Sequence, residues 1–365
     1  MANLEEGMYI PSFLSLIMKK EEKQLLCKKF SQSLMEDMFK VQKGETIAIT
    51  ADSGSDADII QSMSEAVETL DAIPLVMWMP KAKEDGQAGM VDWPAEALTA
   101  ALCKVDVWIE AQSSVILYSD IWETAMRENK KLRYLIIADS TISSLVRVFT
   151  GFDIPTLNAL LSRVRDMIKQ CTSIRITSEN GTDVKYAINL DYSFDIDDGD
   201  FSQPKFGTAP GFVNIVPKQE SMNGRIVFDH LQNSPTEEFI AFVLENGTIK
   251  AVEGGKRAEA FKAYLAAFDD PNMYKISHNM LGFNPNVHEL TGELVEDERI
   301  WGGADFGFGH TSAIDMPPLG QAAESHFDGV VAKTTIYLDE EIIVENGVVV
   351  HKILRPFVEK LLQNT

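Results

Sequence analysis

Four of the six histidines, His278, His288, His310 and His326, fall between Ile276 and Val330, and the first 229 residues hold none. Imidazole both binds borderline metal ions and carries protons near neutral pH. The sharpest pattern in this stretch is His326-Phe327-Asp328. Its flanks, Gly329-Val330-Val331 and then Lys333-Thr334-Thr335-Ile336, read as extended chain, in which residues i and i+2 project from the same face. An imidazole and a carboxylate side by side supply two donors of a 2-His-1-carboxylate site, which holds Fe(II) on one face and leaves the other open to substrate and dioxygen. The third donor must come from elsewhere. His278 is the choice, because Gly282, Asn284 and Pro285 follow it as turn formers and place it at the end of an element facing a cavity. A solitary His-x-Asp also occurs as an ion pair on a sheet surface, and spacing alone leaves both readings open.

The elements that must position these residues fall into two halves. In the first, the apolar spacing of Leu25, Leu26, Phe30, Leu34 and Met38 predicts a helix over Glu21 to Val41, stopped at Lys43-Gly44. Strands are expected at Thr46–Thr50, Pro74–Met79, Val105–Ala111 and Tyr134–Ala138, with helices at Asp56–Leu70, Pro94–Leu102 and Asp120–Asn129 between them. This alternation predicts an α/β domain with a largely parallel sheet. The turn Asp52-Ser53-Gly54-Ser55-Asp56 lacks a nucleotide-binding glycine pattern and reads as a helix cap. Gln112 and Ser113 follow the third strand, where loops beyond the carboxyl ends of parallel strands line clefts, and are candidate substrate contacts or simple caps.

A helix over Ile154 to Gln170 is expected to bridge the halves, with the boundary at 171/172. Beyond it, three hairpins around Asn180-Gly181, Asn246-Gly247 and Asn346-Gly347 predict a β-rich domain over 172–365, interrupted by a helix at Lys256–Phe268. The acidic run Asp191–Asp200 does not fit a calcium loop and reads as solvated. His230, after Ile226-Val227-Phe228-Asp229, is a candidate further ligand or acid/base group near the cleft, or more simply a surface or strand-end residue, and His351 reads as structural.

Composition sets the outer limits. With 45% hydrophobic residues and no long apolar run, the chain reads as globular and cytoplasmic, with no membrane span. The order of charges about the N-terminal apolar run is the reverse of a secretory signal. A net charge of -22 argues against nucleic acid as a partner, since phosphate backbones demand a basic surface. Cys27, Cys103 and Cys171 are widely spaced and read as reduced thiols.

The runs HNMLGFNPN, DERIWGGADFGFG and SHFDGVV resemble the metal-binding half of the superfamily that joins the aminopeptidase T type leucyl aminopeptidases to the 2,5-dihydroxypyridine 5,6-dioxygenases. The resemblance is clearest from PGFVNIVPKQESMNGRIVFD onward. Those aminopeptidases bind two metal ions through two glutamates, two histidines and an aspartate. On this chain their first glutamate falls on Phe212, their second on His278, their first histidine on Asp305, and their closing His-x-Asp on His326 and Asp328. Phenylalanine cannot bind a metal, so the dinuclear set is broken. The surviving His278, His326 and Asp328 are similar to the mononuclear iron site of the dioxygenases.

The resemblance therefore implies an extradiol-type Fe(II) dioxygenase that opens a hydroxylated N-heterocycle such as 2,5-dihydroxypyridine with dioxygen, in a homo-oligomer. The alternatives are a leucyl aminopeptidase-like hydrolase using zinc or cobalt, with Glu220 and Glu293 as spare carboxylates, or a catalytically idle member. Within the dioxygenase reading His310, ahead of His288, is the candidate proton carrier, and Asp305 either hydrogen-bonds a ligand imidazole or is a turn residue beside glycines. Ser325 and Thr311 are candidate contacts to substrate oxygens. Trp301, Phe306 and Phe308 either line the pocket or belong to the core. One departure stands out: the dioxygenases use a first-domain histidine for proton transfer, and this chain has none there.

Overall fold

The computed structural model describes residues 19–363 except 85, 138, 139, 233, 236 and 237, and of 234 and 235 only the backbone. The N-terminal apolar run and the end of the strand expected at Tyr134–Ala138 lie outside the described residues. The chain divides into two compact units, one of Met1–Thr150 with Phe201–Thr208 and one of Gly151–Asp200 with Ala209–Thr365.

The first unit is the expected α/β domain. Its five strands run Ile73–Met79, Thr46–Asp52, Val107–Glu110, Arg133–Ile136 and Lys205–Gly207 in spatial order, every neighbouring pair parallel. The central strands are covered on both faces, so Ile47, Ala48, Ile49, Val107, Trp108 and Ile109 are all buried, as crossover helices require. The helix Ala57–Thr69 begins at Asp56, whose carboxylate accepts from Asp58 N–H, and turns Ile59, Ile60, Met63 and Val67 inward. The first helix is α-helical over Lys20–Gln32 and widens to a π-helical turn over Ser33–Met38. A further helix, Ile142–Phe149, carries no long periodic run and is defined by its Thr141 cap and the burial of Leu145, Val148 and Phe149.

The change of unit comes at Thr150, ahead of the expected 171/172. The helix Ile154–Ile168 belongs wholly to the second unit, because Leu157, Leu160, Leu161, Val164 and Ile168 are fully buried in that unit's core. The segment Phe201–Thr208 then lends the first sheet its last strand.

Two antiparallel sheets build the second unit. One has eight strands, in the order Thr248–Gly254, Ile240–Glu245, Asn223–Val227, Asp183–Ala187, Ser173–Ser178, Thr334–Leu338, Glu341–Glu345 and Val348–Val349. The Asn246-Gly247 and Asn346-Gly347 hairpins are two-residue turns with both central residues at positive φ, the geometry that asparagine and glycine tolerate. Asn180-Gly181 lies in a longer loop in which only Gly181 has positive φ. The other sheet has seven strands: Ser234–Pro235, His230–Leu231, Gln321–Val331, Ala304–Thr311, Ile276–Gly282, Phe212–Ile215 and Ile196–Asp197. The last strand ends at Val349, and the chain closes with a helix, Arg355–Leu362.

The acidic run is not wholly solvated. Asp197 and Asp198 are buried, Ile196–Asp197 is the sheet's last strand, and Asp198 accepts a hydrogen bond from Asn158. Phe306, Phe308 and Trp301 likewise belong to the core rather than to a pocket wall. Phe308 stacks on Phe327 at 5.3 Å and meets Phe242 edge-on at 5.5 Å, joining the two sheets. Among the described residues no helix is long and apolar enough to cross a membrane. Phe308→Ala is expected to cost about 3–5 kcal/mol, read as a lower guanidinium unfolding midpoint.

Candidate metal centre

Three neighbouring strands of the seven-stranded sheet carry the centre. Along Ala304–Thr311, Ala304, Phe306 and Phe308 alternate into the core, so Asp305, Gly307 and Gly309 face the other way. In register, Gly307 stands between His278 on one neighbour and Asp328 on the other, while Gly309 stands opposite His326. A Cβ on Gly307 would lie 2.3 Å from His278 Cε1 and 2.7 Å from Asp328 Oδ1. The missing side chain is what lets those two groups close over the middle strand.

The result is a compact donor triangle. Oδ1 of Asp328 lies 3.0 Å from His326 Nε2 and 3.4 Å from His278 Nε2, and the two imidazoles are nearly parallel at 5.1 Å between centroids. Metal–donor bonds of about 2.1 Å at right angles put neighbouring donors about 3.0 Å apart, so this set fits one ion with two imidazoles and one carboxylate. His278 is not at the end of its element. It sits within Ile276–Gly282 beside a register shift, which aims its ring over Gly307.

Each ring has a further polar neighbour. His326 donates Nδ1–H to the carbonyl of His310 at 2.8 Å, leaving Nε2 toward Asp328, and the Ser277 hydroxyl donates to the same carbonyl. His278 Nε2 lies 3.2 Å from Oδ2 of the fully buried Asp305, which is a mid-strand residue and not part of a turn. Desolvation opposes charge on His326, but the Asp328 carboxylate outweighs it and holds the imidazole up at about 9. Desolvation likewise pushes Asp328 up, and His326 more than reverses this, holding the carboxyl below its ordinary range. Burial lowers His278, and burial with the nearby Asp328 charge drives the Asp305 carboxyl well above its usual value.

The other expected site residues are placed elsewhere. Strand alternation puts Ser325 on the opposite face from His326 and Asp328, where it hydrogen-bonds Tyr264. Thr311 donates its hydroxyl to Ser277 at 2.7 Å. Ser113, in the first unit, donates its hydroxyl to the Asp52 carboxylate at 2.9 Å, and the N–H groups of Ser113 and Ser114 bind the same carboxylate, so Ser113 ties two strand ends together. Gln112 is buried in the same unit, its amide without a hydrogen-bond partner among the described residues. The imidazole of His310 is lowered by burial and by His326, while its carbonyl holds the His326 ring. His288 bonds the Pro285 carbonyl at 2.8 Å, and His351 pairs with Glu341 at 2.7 Å.

Two residues, Glu298 and Arg299, escaped the reading of the sequence. Glu298, not Glu220 or Glu293, brings a carboxylate within 4.8 Å of those of Asp305 and Asp328. Burial pushes the Glu298 carboxyl up to about 8 against the pull of its neighbour Arg299. Arg299 covers the Phe212 ring at 5.0 Å and donates to the carbonyl of Ala209. His230, for which a surface, a strand end or a place near the cleft was open, begins the strand His230–Leu231 and is fully buried against Asp297. The signal available for Glu298 and Arg299 was the charged run Asp297-Glu298-Arg299 shortly before the apolar strand Ala304–Thr311, where charges are buried only if paired.

Two solved structures share this architecture of an α/β unit and a unit of paired antiparallel sheets. The 2,5-dihydroxypyridine dioxygenase from Pseudomonas putida KT2440 superposes with a TM-score of 0.76 at 20% identity, covering 93% of this chain and 99% of that one. Wild-type AmpT from Thermus thermophilus superposes with a TM-score of 0.66 at 12% identity, covering 90% and 100%. The fold is thus the one common to these two proteins. The family model NicX, 2,5-dihydroxypyridine 5,6-dioxygenase, matches residues 26–351, and the chain belongs to that family. The 2,5-dihydroxypyridine 5,6-dioxygenase of Pseudomonas putida KT2440 is 25% identical over 202 residues, a stretch that spans 50% of this chain and 56% of the relative.

Two outcomes are expected at this centre. Gly307→Ala places a methyl group inside the triangle and weakens metal binding by at least about a hundredfold, with the far-UV circular dichroism retained. In the metal-free protein His326 holds a proton up to about pH 9, and that proton must leave when an ion binds. Apparent metal affinity therefore rises about tenfold per pH unit below that value, measurable as proton release by calorimetry in buffers of different ionisation heat.

Proposed function

We propose that this chain is a mononuclear non-haem Fe(II) dioxygenase that opens a hydroxylated N-heterocycle such as 2,5-dihydroxypyridine, with His278, His326 and Asp328 holding the iron. The observation that carries the reading is the donor triangle over Gly307 in a chain of the dihydroxypyridine dioxygenase family. Iron bound there would supply a shared site for a ring hydroxyl or nitrogen and for dioxygen on its open face.

The chain's own residues do the rest. One carboxylate and two neutral imidazoles would leave a divalent ion with one net positive charge, which favours an ionised hydroxyl on the substrate. The His310 carbonyl sets the His326 ring through Nδ1, so His310 acts as a positioning residue, whereas Asp305 meets His278 at Nε2, the donor nitrogen itself. The packed face of Phe306, Phe308 and Phe327 behind them keeps the three strands in register.

The test is anaerobic purification followed by metal analysis and oxygen uptake with 2,5-dihydroxypyridine. About one iron per chain is expected. His278→Ala, His326→Ala and Asp328→Ala should each lose the iron and lower turnover by at least about a hundredfold. Two zinc or cobalt ions per chain, with hydrolysis of leucyl arylamides and no oxygen uptake, would overturn the reading in favour of a hydrolase.

A further inference from the structure

His230 lies on the metal face. The strand His230–Leu231 pairs with Gln321–Val331 so that His230 stands opposite Val330. Val330 is two residues on from Asp328 and faces Asp305 across the next strand. Period-two alternation therefore puts His230 on the same face as Asp305, His326 and Asp328. His230 and Asp328 are diagonal neighbours, a relation that sets residues about 7–8 Å apart in an antiparallel pair.

The ring is held from one side only. Nδ1 lies 2.6 Å from Oδ2 of Asp297, and both groups are fully buried. Asp297 is fixed in turn by the N–H groups of Thr291 at 2.7 Å and Gly292 at 3.0 Å and by the Thr291 hydroxyl at 3.1 Å. With three donors already on this carboxylate, it accepts the Nδ1–H of His230 as a fourth, and that tautomer leaves Nε2 with a lone pair. That Nε2 is buried with no hydrogen-bond partner among the described residues. Buried polar atoms are paired in nearly all cases, so a lone pair fixed in this way marks where a proton donor belongs.

Its surroundings point to the same place. Oδ1 of Asp305 and Oδ1 of Asn214 are also buried and unpartnered among the described residues. His230, Val330, Asp305, Met280 and Asn214 form one cross-strand row, immediately beside the row of Asp328, Gly307 and His278. Asp297, which holds His230, precedes Glu298, whose carboxylate approaches Asp328 within 4.8 Å.

We propose that His230, oriented by Asp297, accepts the proton of the substrate's ring hydroxyl, an inference that rests on the dioxygenase reading above. The hydroxyl O–H bond breaks, an Nε2–H bond forms, and the electron pair stays on the ring oxygen. The resulting imidazolium is stabilised by the Asp297 carboxylate. Insertion of dioxygen adds two oxygen atoms and leaves the proton count unchanged, so Nε2–H returns its proton to the ring-opened product. The second unit thereby supplies a proton-holding group in a chain whose first 229 residues contain no histidine.

The test uses the full chain loaded with Fe(II) under nitrogen and titrated with 4-nitrocatechol, a hydroxylated ring whose absorbance reports how many of its hydroxyls are ionised. His230→Asn keeps an N–H toward Asp297 and removes the acceptor at Nε2. Asp297→Asn presents a donor to Nδ1 and reverses the tautomer. The native protein is expected to bind the doubly ionised ring, and both variants to bind it one proton short with iron content unchanged. Turnover of 2,5-dihydroxypyridine falls about a hundredfold or more while KM changes far less. Should His230→Asn fail to accumulate as folded protein, the Asp297→Asn spectrum decides. Binding of the doubly ionised ring by the variants, with native turnover, overturns the role of His230 and leaves the dioxygenase reading standing. A native protein that binds iron but no hydroxylated ring overturns both.

Discussion

His278 and Asp328 belong to strands that are not neighbours, and they meet only because the strand between them offers no side chain at Gly307. Adjacent strands lie about 4.8 Å apart, so groups two strands apart start nearly 10 Å from each other and must lean inward over the middle chain. A methyl group there would sit inside contact distance of both. The same strand anchors the sheet through Phe306 and Phe308 on its other face, so one short run provides a rigid floor on one side and an open seat on the other. The triad, its supporting residues and the His230 row all take their positions from this strand.

The electrostatics of the face follow from that crowding. Asp328, Asp305 and Glu298 bring three carboxyl groups within 4.8 Å of one another. Like charges at that separation in a partly dry site cannot all stay ionised without cations nearby. His326 and Arg299 supply two: His326 holds Asp328 down, whereas burial drives Asp305 and Glu298 upward even though Arg299 pairs with Glu298. A divalent ion at the triad would relieve the same repulsion, which couples loading of the centre to the protonation of its neighbours.

The parts legible in the sequence were those governed by short-range periodicity. His326 and Asp328 share a face because strand side chains repeat every two residues, and Asn246-Gly247 and Asn346-Gly347 mark turns because few residues accept positive φ. The same rule, applied one residue over, would have turned Ser325 away from the centre and Phe306 and Phe308 into the core. What the sequence hid depends on partners far along the chain. Ile196–Asp197 and His230–Leu231 are strands only because neighbours pair with them, and two residues show no period. His230 is buried because Asp297, Thr291 and Gly292 surround its polar edge, and no local pattern predicts that meeting. The unit boundary was masked for a related reason: Ile154–Ile168 has the apolar stripe of any amphipathic helix, and the stripe does not say which core receives it.

The strand Lys205–Gly207 gives the two units a shared history during synthesis. The first unit's sheet lacks its last parallel strand until residues 151–200, which belong to the other unit, have been made. A nascent chain can assemble the strands up to Arg133–Ile136 early, but its edge stays open for the time needed to translate the detour. Evolution or engineering therefore cannot exchange these units as a single cassette: a cut at Thr150 alone would part the first sheet from its closing strand, so any transplant must cross three junctions, at 150/151, 200/201 and 208/209.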